Sequence, residues 1–244
     1  MILAPATTQA RRLAAVGLLA VMVVGCSVLP TVTPSPVPAA PASLPPTAPA
    51  FTLVPSPVGC PTSAPAALTG TATVTITTNF GNIVVKVDAA LGANSAGAFV
   101  ALAKCGYYND VIFHRIVTGF VIQAGDGTYG REPNIDFSKV GQGGPTWTVT
   151  DDAVKTSYKR GTVAMANTGA ANSGSSQFFF VLSDTAWTAT TPKTYSIFGN
   201  VTAGLDVIDR IAKVPTGGEP GSDGSPASLP LQPIVITGTT VTTP

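Results

Sequence analysis

Three short segments of the 244-residue chain hold most of the side chains that could do chemistry. The first, Phe113 to Asp126 (FHRIVTGFVIQAGD), carries Arg115, Phe120, Val121 and Gln123. The second, Met165 to Trp187 (MANTGAANSGSSQFFFVLSDTAW), carries Ala166, Asn167, Gln177, Phe179 and Trp187, and Thr188 follows it. The third, Tyr195 to Val201 (YSIFGNV), opens on Tyr195. These are fixed charge, amides and aromatic rings. A guanidinium is permanently charged and presents a rigid fork of donors, so beside apolar surface it suits stabilising a polar group rather than attacking one. Nucleophilic chemistry is poorly served. His114 is the only histidine, no G-x-S-x-G accompanies it, and strand alternation points it away from Arg115 into a buried structural position. Three cysteines and one histidine leave little for a metal site, and no cofactor is expected. Gly125 to Gly130 (GDGTYG) matches G-x-G-x-x-G, but Pro133 follows and no helix opens there, so the dinucleotide reading fails. In the run Phe178-Phe179-Phe180, alternation lets Phe179 face a groove while its neighbours pack inside.

Taken together, in this order and at this spacing, the segments resemble the cyclophilin family of peptidyl-prolyl cis-trans isomerases, over the stretch from Ala72 to Val241. The resemblance implies a mainly-β fold: a closed eight-stranded antiparallel β-barrel capped by two α-helices, with the active groove on its outer face. It implies rotation about Xaa-Pro bonds in proline-containing polypeptides, here exported proteins whose folding is assisted. That rotation meets a barrier of about 20 kcal/mol because amide resonance must be broken, and no covalent bond changes. By resemblance Arg115 is the donor to the prolyl nitrogen, and Gln123 orients it and contacts the substrate backbone. Phe120, Val121, Phe179 and Tyr195 line the proline pocket, Ala166 and Asn167 pair with the peptide backbone, and Gly141 and Gln177 line the neighbouring groove. Trp187 stands where the family's Trp reaches cyclosporin, so that drug is an expected ligand. The sequence departs from the family at Val121 (usually Met), Tyr195 (His in many members) and Thr188 (usually Leu), the last expected in the substrate pocket and making it more polar. The stretch between Asp126 and Gly141 is long, and two extra residues fall around Thr190-Thr191-Pro192. These changes bear on specificity more than on activity.

The elements that must position these residues are legible as short strands. Thr71 to Thr78 (TATVTITT) alternates β-branched and small residues, Asn79 to Asn82 is a turn, and Ile83 to Val87 returns. Further runs cover Val111–Ile116, Phe120–Gln123, Gly161–Ala166, Phe178–Leu182, Ser196–Val201 and Ile234–Val241. One helix is expected from an Asn94 or Ser95 cap through Cys105, a second from Ala203 to Val214 with Thr202 as cap and Pro215 as stop.

Residues 1–25 read as a lipoprotein signal peptide. Arg11 and Arg12 precede an apolar run, Leu13 to Gly25, too short to span a membrane, where about 20 residues are needed. Val23-Val24-Gly25-Cys26 looks like a bacterial lipobox, which implies cleavage before Cys26 and lipidation of its thiol. Residues 26–65 form a Pro-rich disordered tether. Its 27–65 stretch holds 12 of the 22 prolines and no charge, a composition for extended chain. Residues 66–244 form the isomerase domain. The chain is then exported and anchored to the outside of the cell membrane through lipidated Cys26. Cys60 and Cys105 remain, and in an exported chain they are expected to pair as a disulfide. A formal charge of +1, and 10% charged residues, argue against nucleic acid, and a monomer is expected. Two other classes compete: a groove that binds proline peptides without turnover, which would not need Arg115, and a stalked barrel acting as an adhesin or carbohydrate binder, which would not explain the FHR and MAN…SQFF segments.

Overall fold

The computed structural model describes residues 51–188, 191, 193–217 and 228–244. The signal segment, Cys26, the tether up to residue 50, and Thr190 and Pro192 of the expected insertion lie outside the described residues. The first hairpin joins β1 (Thr71–Thr78) to β2 (Gly81–Asp88) in antiparallel register, Val74 opposite Val85. Its period-two pattern buries Ala72, Val74 and Ile76 against Ile83, Val85 and Val87. Helix α1 (Ala89–Lys104) follows, then β3 (Val111–Val117) and β4 (Val121–Ala124). Two-residue strands β5 (Gly130–Arg131) and β6 (Asn134–Ile135) lie in the long connection to β7 (Thr162–Met165). Then come β8 (Phe178–Val181), β9 (Ile197–Ala203) and helix α2 (Leu205–Ile211). A small pair, β10 (Thr216–Gly217) and β11 (Leu229–Pro230), precedes β12 (Val235–Thr242).

Eight of these strands run β12-β1-β2-β9-β7-β8-β4-β3, and β12 pairs back onto β3 at Val235↔Ile112, which closes the barrel. Every pairing is antiparallel. Closure removes the exposed strand edges on which open sheets aggregate. Within the aliphatic interior sits a cluster of rings: Phe99 packs on Phe178 and Phe198 with centroids 5.0 and 4.9 Å apart, and Tyr108 meets Phe178 at 5.3 Å.

Both helices start elsewhere than the local caps suggested. Helix α1 begins at Ala89, with the Asp88 carboxylate accepting the Ala90 N–H, and its path breaks at Gly92 (φ −165°, ψ 93°). Beyond the break, the Asn94 and Ser95 N–H groups donate at 3.1 and 2.9 Å to the two carboxylate oxygens of Asp152. These two residues are capped rather than capping, by an acid brought from far along the chain to the helix's positive end. Helix α2 is shorter than the apolar spacing implies. Gly204 is its N-cap at φ 90°, and a Cβ there would collide with the Asn82 carbonyl oxygen, so glycine is required. Thr202, the expected cap, instead donates its hydroxyl to the Val84 carbonyl.

Residues 51–70 contain no regular element but are fastened to the barrel. Cys60 is disulfide-bonded to Cys105, with Cα atoms 5.1 Å apart. The Trp147 indole donates to the Pro61 carbonyl at 2.9 Å, and Leu68 N–H donates to Ala93 O. Among the described residues no helix is long and apolar enough to cross a membrane, and no cluster of three or more metal-ligating side chains occurs.

Candidate active site

The site grows from a defect in the β3–β4 ladder. Phe113 pairs with Ala124 and Arg115 with Gln123, so His114 is an extra residue, a β-bulge. Phe113 points into the core. The bulge breaks the alternation after it, and His114 and Arg115 both border one cavity on the outer side of the barrel. The expectation that His114 points away from Arg115 is therefore corrected, although its burial, at 6% exposure, agrees. Arg115 is half-buried and directly opposite Gln123.

Strands β7, β8 and β4 carry a second apolar cluster on their outer face. Phe178 and Phe180 belong to the core, whereas Phe179 packs outward with Val121, Ala164 and Ile197. Over this floor stand the rings of Phe120, Trp187 and Tyr195. Trp187 lies 4.8 Å from Phe120 and 5.7 Å from Phe179, and Tyr195 meets Phe179 edge-on at 5.3 Å. Tyr158 braces the wall from behind: it stacks on Trp187 at 4.2 Å, donates its hydroxyl to Tyr195 O, and accepts the Tyr195 N–H. Burial pushes the Tyr158 phenol up to about 12, so it remains a neutral donor at physiological pH. The rings and Arg115 enclose a recess of about 290 Å³, large enough for a proline side chain and its flanking backbone.

A polar wall adjoins it. Gln123 Nε2 donates to Gln177 Oε1 at 2.9 Å, and Gln177 Nε2 donates to the carbonyls of Gly141 and Gly143. From the opposite side the fully buried Asp126 carboxylate accepts the N–H groups of Thr128 and Tyr129 on one oxygen, and of Gly141 and Gly143 on the other. The Gly141–Gly143 turn is thus clamped between an acid and an amide. A Cβ on residue 143 would collide with Asp126 Oδ1, so only glycine allows the approach. His114 packs beneath this turn, and neither ring nitrogen has a hydrogen-bond partner among the described residues. Burial lowers its pKa to about 4, with the Asp126 charge opposing the effect and the Arg115 charge adding to it. The imidazole is neutral at pH 7.

Nine of the sequence-predicted residues line the recess together: Arg115, Gln123, Phe120, Val121, Ala166, Asn167, Phe179, Trp187 and Tyr195. Gly141 and Gln177 line the adjoining groove of about 410 Å³. Ala166 gives its N–H to Gln177 O, which leaves Asn167 as the residue of that pair whose backbone N–H is unengaged among the described residues. Thr188 does not border the recess; it is exposed and pairs with Thr191. Tyr158, Asp126 and the bulge at His114 are the functional features that sequence reasoning missed. Only the Gly-Asp that ends the first segment hinted at one of them.

Known proteins resemble the chain over most of the barrel. The profile of the family described as cyclophilin type peptidyl-prolyl cis-trans isomerase/CLD matches residues 73–241. The chain is 34% identical over 169 residues to peptidyl-prolyl cis-trans isomerase cyp18 of Streptomyces antibioticus, covering 67% of this chain and 95% of that protein. It is 32% identical over 173 residues to peptidyl-prolyl cis-trans isomerase B of Escherichia coli, covering 69% and 98%. Among solved structures, a cyclophilin type isomerase of Cryptosporidium parvum superposes with a TM-score of 0.56 at 25% identity, covering 71% of this chain and 99% of that one.

Proposed function

The chain belongs to the cyclophilin type peptidyl-prolyl cis-trans isomerase family, and on that premise and the site's geometry we propose that it catalyses rotation about Xaa-Pro bonds in polypeptides. The observation that carries this reading is the meeting of Arg115 with the rings of Phe120, Phe179 and Tyr195 in one recess. The aromatic floor holds the proline ring, which is apolar and leaves water favourably. Asn167 holds the peptide backbone as a neighbouring strand does. As the amide twists, the prolyl nitrogen regains its lone pair, and the Arg115 guanidinium donates to it. Gln123, held by Gln177, keeps the guanidinium and the backbone in place. The donor is fixed before the reaction, so its stabilisation of the twisted state requires no reorganisation. An acceleration of about 10⁵ corresponds to about 7 kcal/mol, within reach of a preorganised donor beside an apolar pocket. Neither nucleophile nor metal takes part in these steps.

The cellular setting belongs to the same proposal. The Arg11-Arg12 and Leu13–Gly25 pattern ending at Cys26 supports export and lipid anchoring outside the membrane, where the isomerase assists the folding of exported proteins as a monomer. The place of Trp187 in the ring wall supports cyclosporin as a ligand. A protease-coupled isomerisation assay on proline peptides, with and without cyclosporin, tests the activity. Catalysis above the spontaneous rate, inhibited by the drug, is expected. A protein that binds the peptides yet leaves the exchange rate unchanged would contradict it.

A further inference from the structure

Arg115 borders a second recess as well. The strand order β7-β8-β4-β3 carries the outer face from Asn167, past the proline floor, to Arg115, and past the end of the β12 pairing the Ile116 N–H of β3 donates to Ser228 O at 2.8 Å. Beyond Arg115, on the side away from Asn167, lies a cavity of about 540 Å³. Arg115 and Gln123 form its inner wall, shared with the proline recess, while Phe137 and Val140 from the long connection and Leu229 from the arm supply its apolar lining between the polar Ser138, Gln142 and Ser228.

Both outer walls are built. Residues 136–140 make one helical turn: Lys139 and Val140 donate to Asp136 O, the Asp136 carboxylate accepts the Ser138 N–H and hydroxyl, and Asp136 N–H is anchored on Tyr129 O. The facing arm pairs Thr216 with Pro230, and Leu231 N–H donates to Pro215 O. Yet Phe137 stands 59% exposed on this braced turn and Leu231 69% exposed on the arm, and the two border one small apolar cleft. Of the four large hydrophobic side chains exposed among the described residues, two border this cleft, and one of them, Phe137, also lines the cavity beside Arg115.

We propose that this second cavity is a subsite for the substrate polypeptide, taking an apolar and above all aromatic side chain, with Phe137 as the specificity-determining residue. The inference rests on the isomerase reading and adds which sequence around the proline is preferred. The argument for the occupant is continuity. A chain paired at Asn167, with its proline over Phe179 and Val121, leaves across Arg115 towards β3 and the arm. Strands lie about 4.8 Å apart and a residue spans about 3.5 Å, so the side chain that drops into the cavity belongs to the first or second residue on the flank not paired with Asn167.

Two peptide series, with Gly, Asp, Leu or Phe at the two positions before or after the proline, would be tested by NMR exchange on the full-length protein and on Phe137→Ser and Phe137→Leu. One flank is expected to favour Phe over Gly by about fivefold in kcat/KM, a preference that Phe137→Ser reduces below about twofold and Phe137→Leu partly keeps. Turnover of the Gly peptides serves as the reference in each protein, so the preference is read as a ratio within one variant. Equal turnover of Gly and Phe peptides on both flanks, or a preference that survives Phe137→Ser, overturns the subsite while leaving the isomerase intact. Failure to turn over any peptide overturns both.

Discussion

Phe178 and Phe179 are adjacent on β8, yet they belong to different parts of the molecule. Phe178 is sealed inside the barrel among Phe99, Tyr108 and Phe180, whereas Phe179 lies outside, roofed by Trp187 and Tyr195 beside Arg115. Both are at least 96% buried, at 0% and 4% exposure. The difference lies in what surrounds them. The inner rings pack on one another and on the aliphatic lining of the barrel, with the Tyr108 hydroxyl donating to the Ser176 carbonyl. The outer cluster is open on one side, and its rings are held by polar devices: the Tyr158 clasp on Tyr195, and the Asp126–Gly143–Gln177–Gln123 chain beside Arg115. A two-residue repeat therefore divides one strand between stability and function.

That division can be broken one residue at a time. Phe178→Ala should destabilise by about 3–5 kcal/mol, because it leaves a closed cavity, with little change in turnover per folded molecule; urea denaturation and active-site titration check it. His114 gives the next effect. The unfolded imidazole takes up a proton near 6.5 and the folded one only near 4, so stability is full above pH 6.5 and falls as pH drops from 6.5 to 4, by about 3 kcal/mol. His114→Gln should flatten that part of the pH profile of unfolding. Phe179→Ala should lose only about 2 kcal/mol, since an open recess adds no cavity penalty, but kcat/KM should fall at least about tenfold. Thr188→Leu, at the exposed position outside the recess, should leave kcat/KM within about twofold and stability within about 0.5 kcal/mol.

The floor of the site was legible because it obeys local periods. Alternation in TATVTITT and in the Phe178–Phe180 run set inside against outside without knowledge of partners. The gathering of Arg115, Phe120, Asn167 and Trp187 came from the family resemblance, which encodes the closed barrel that brings distant segments together. What escaped was set by partners remote in sequence. Asp152 caps α1 from a loop, Tyr158 clasps Tyr195 across 37 positions, and the His114 bulge exists only in the register of β3 against β4. A single strand read alone carries no sign of the extra residue. For the same reason Asn94 and Ser95 look like caps: their types suit the role, while the acceptor that replaces them is invisible locally.

We propose that the guanidinium on the outer face of β3 stabilises the twisted amide rather than merely gripping the peptide. Exchange NMR on a proline peptide with wild type and Arg115→Ala, reading turnover and Kd in the same samples, separates the two directly. Turnover should fall by about 10²–10³ while Kd changes less than about fivefold, as expected for a donor that acts only in the transition state. Unchanged turnover, or a loss matched by an equal loss of binding, would contradict the account.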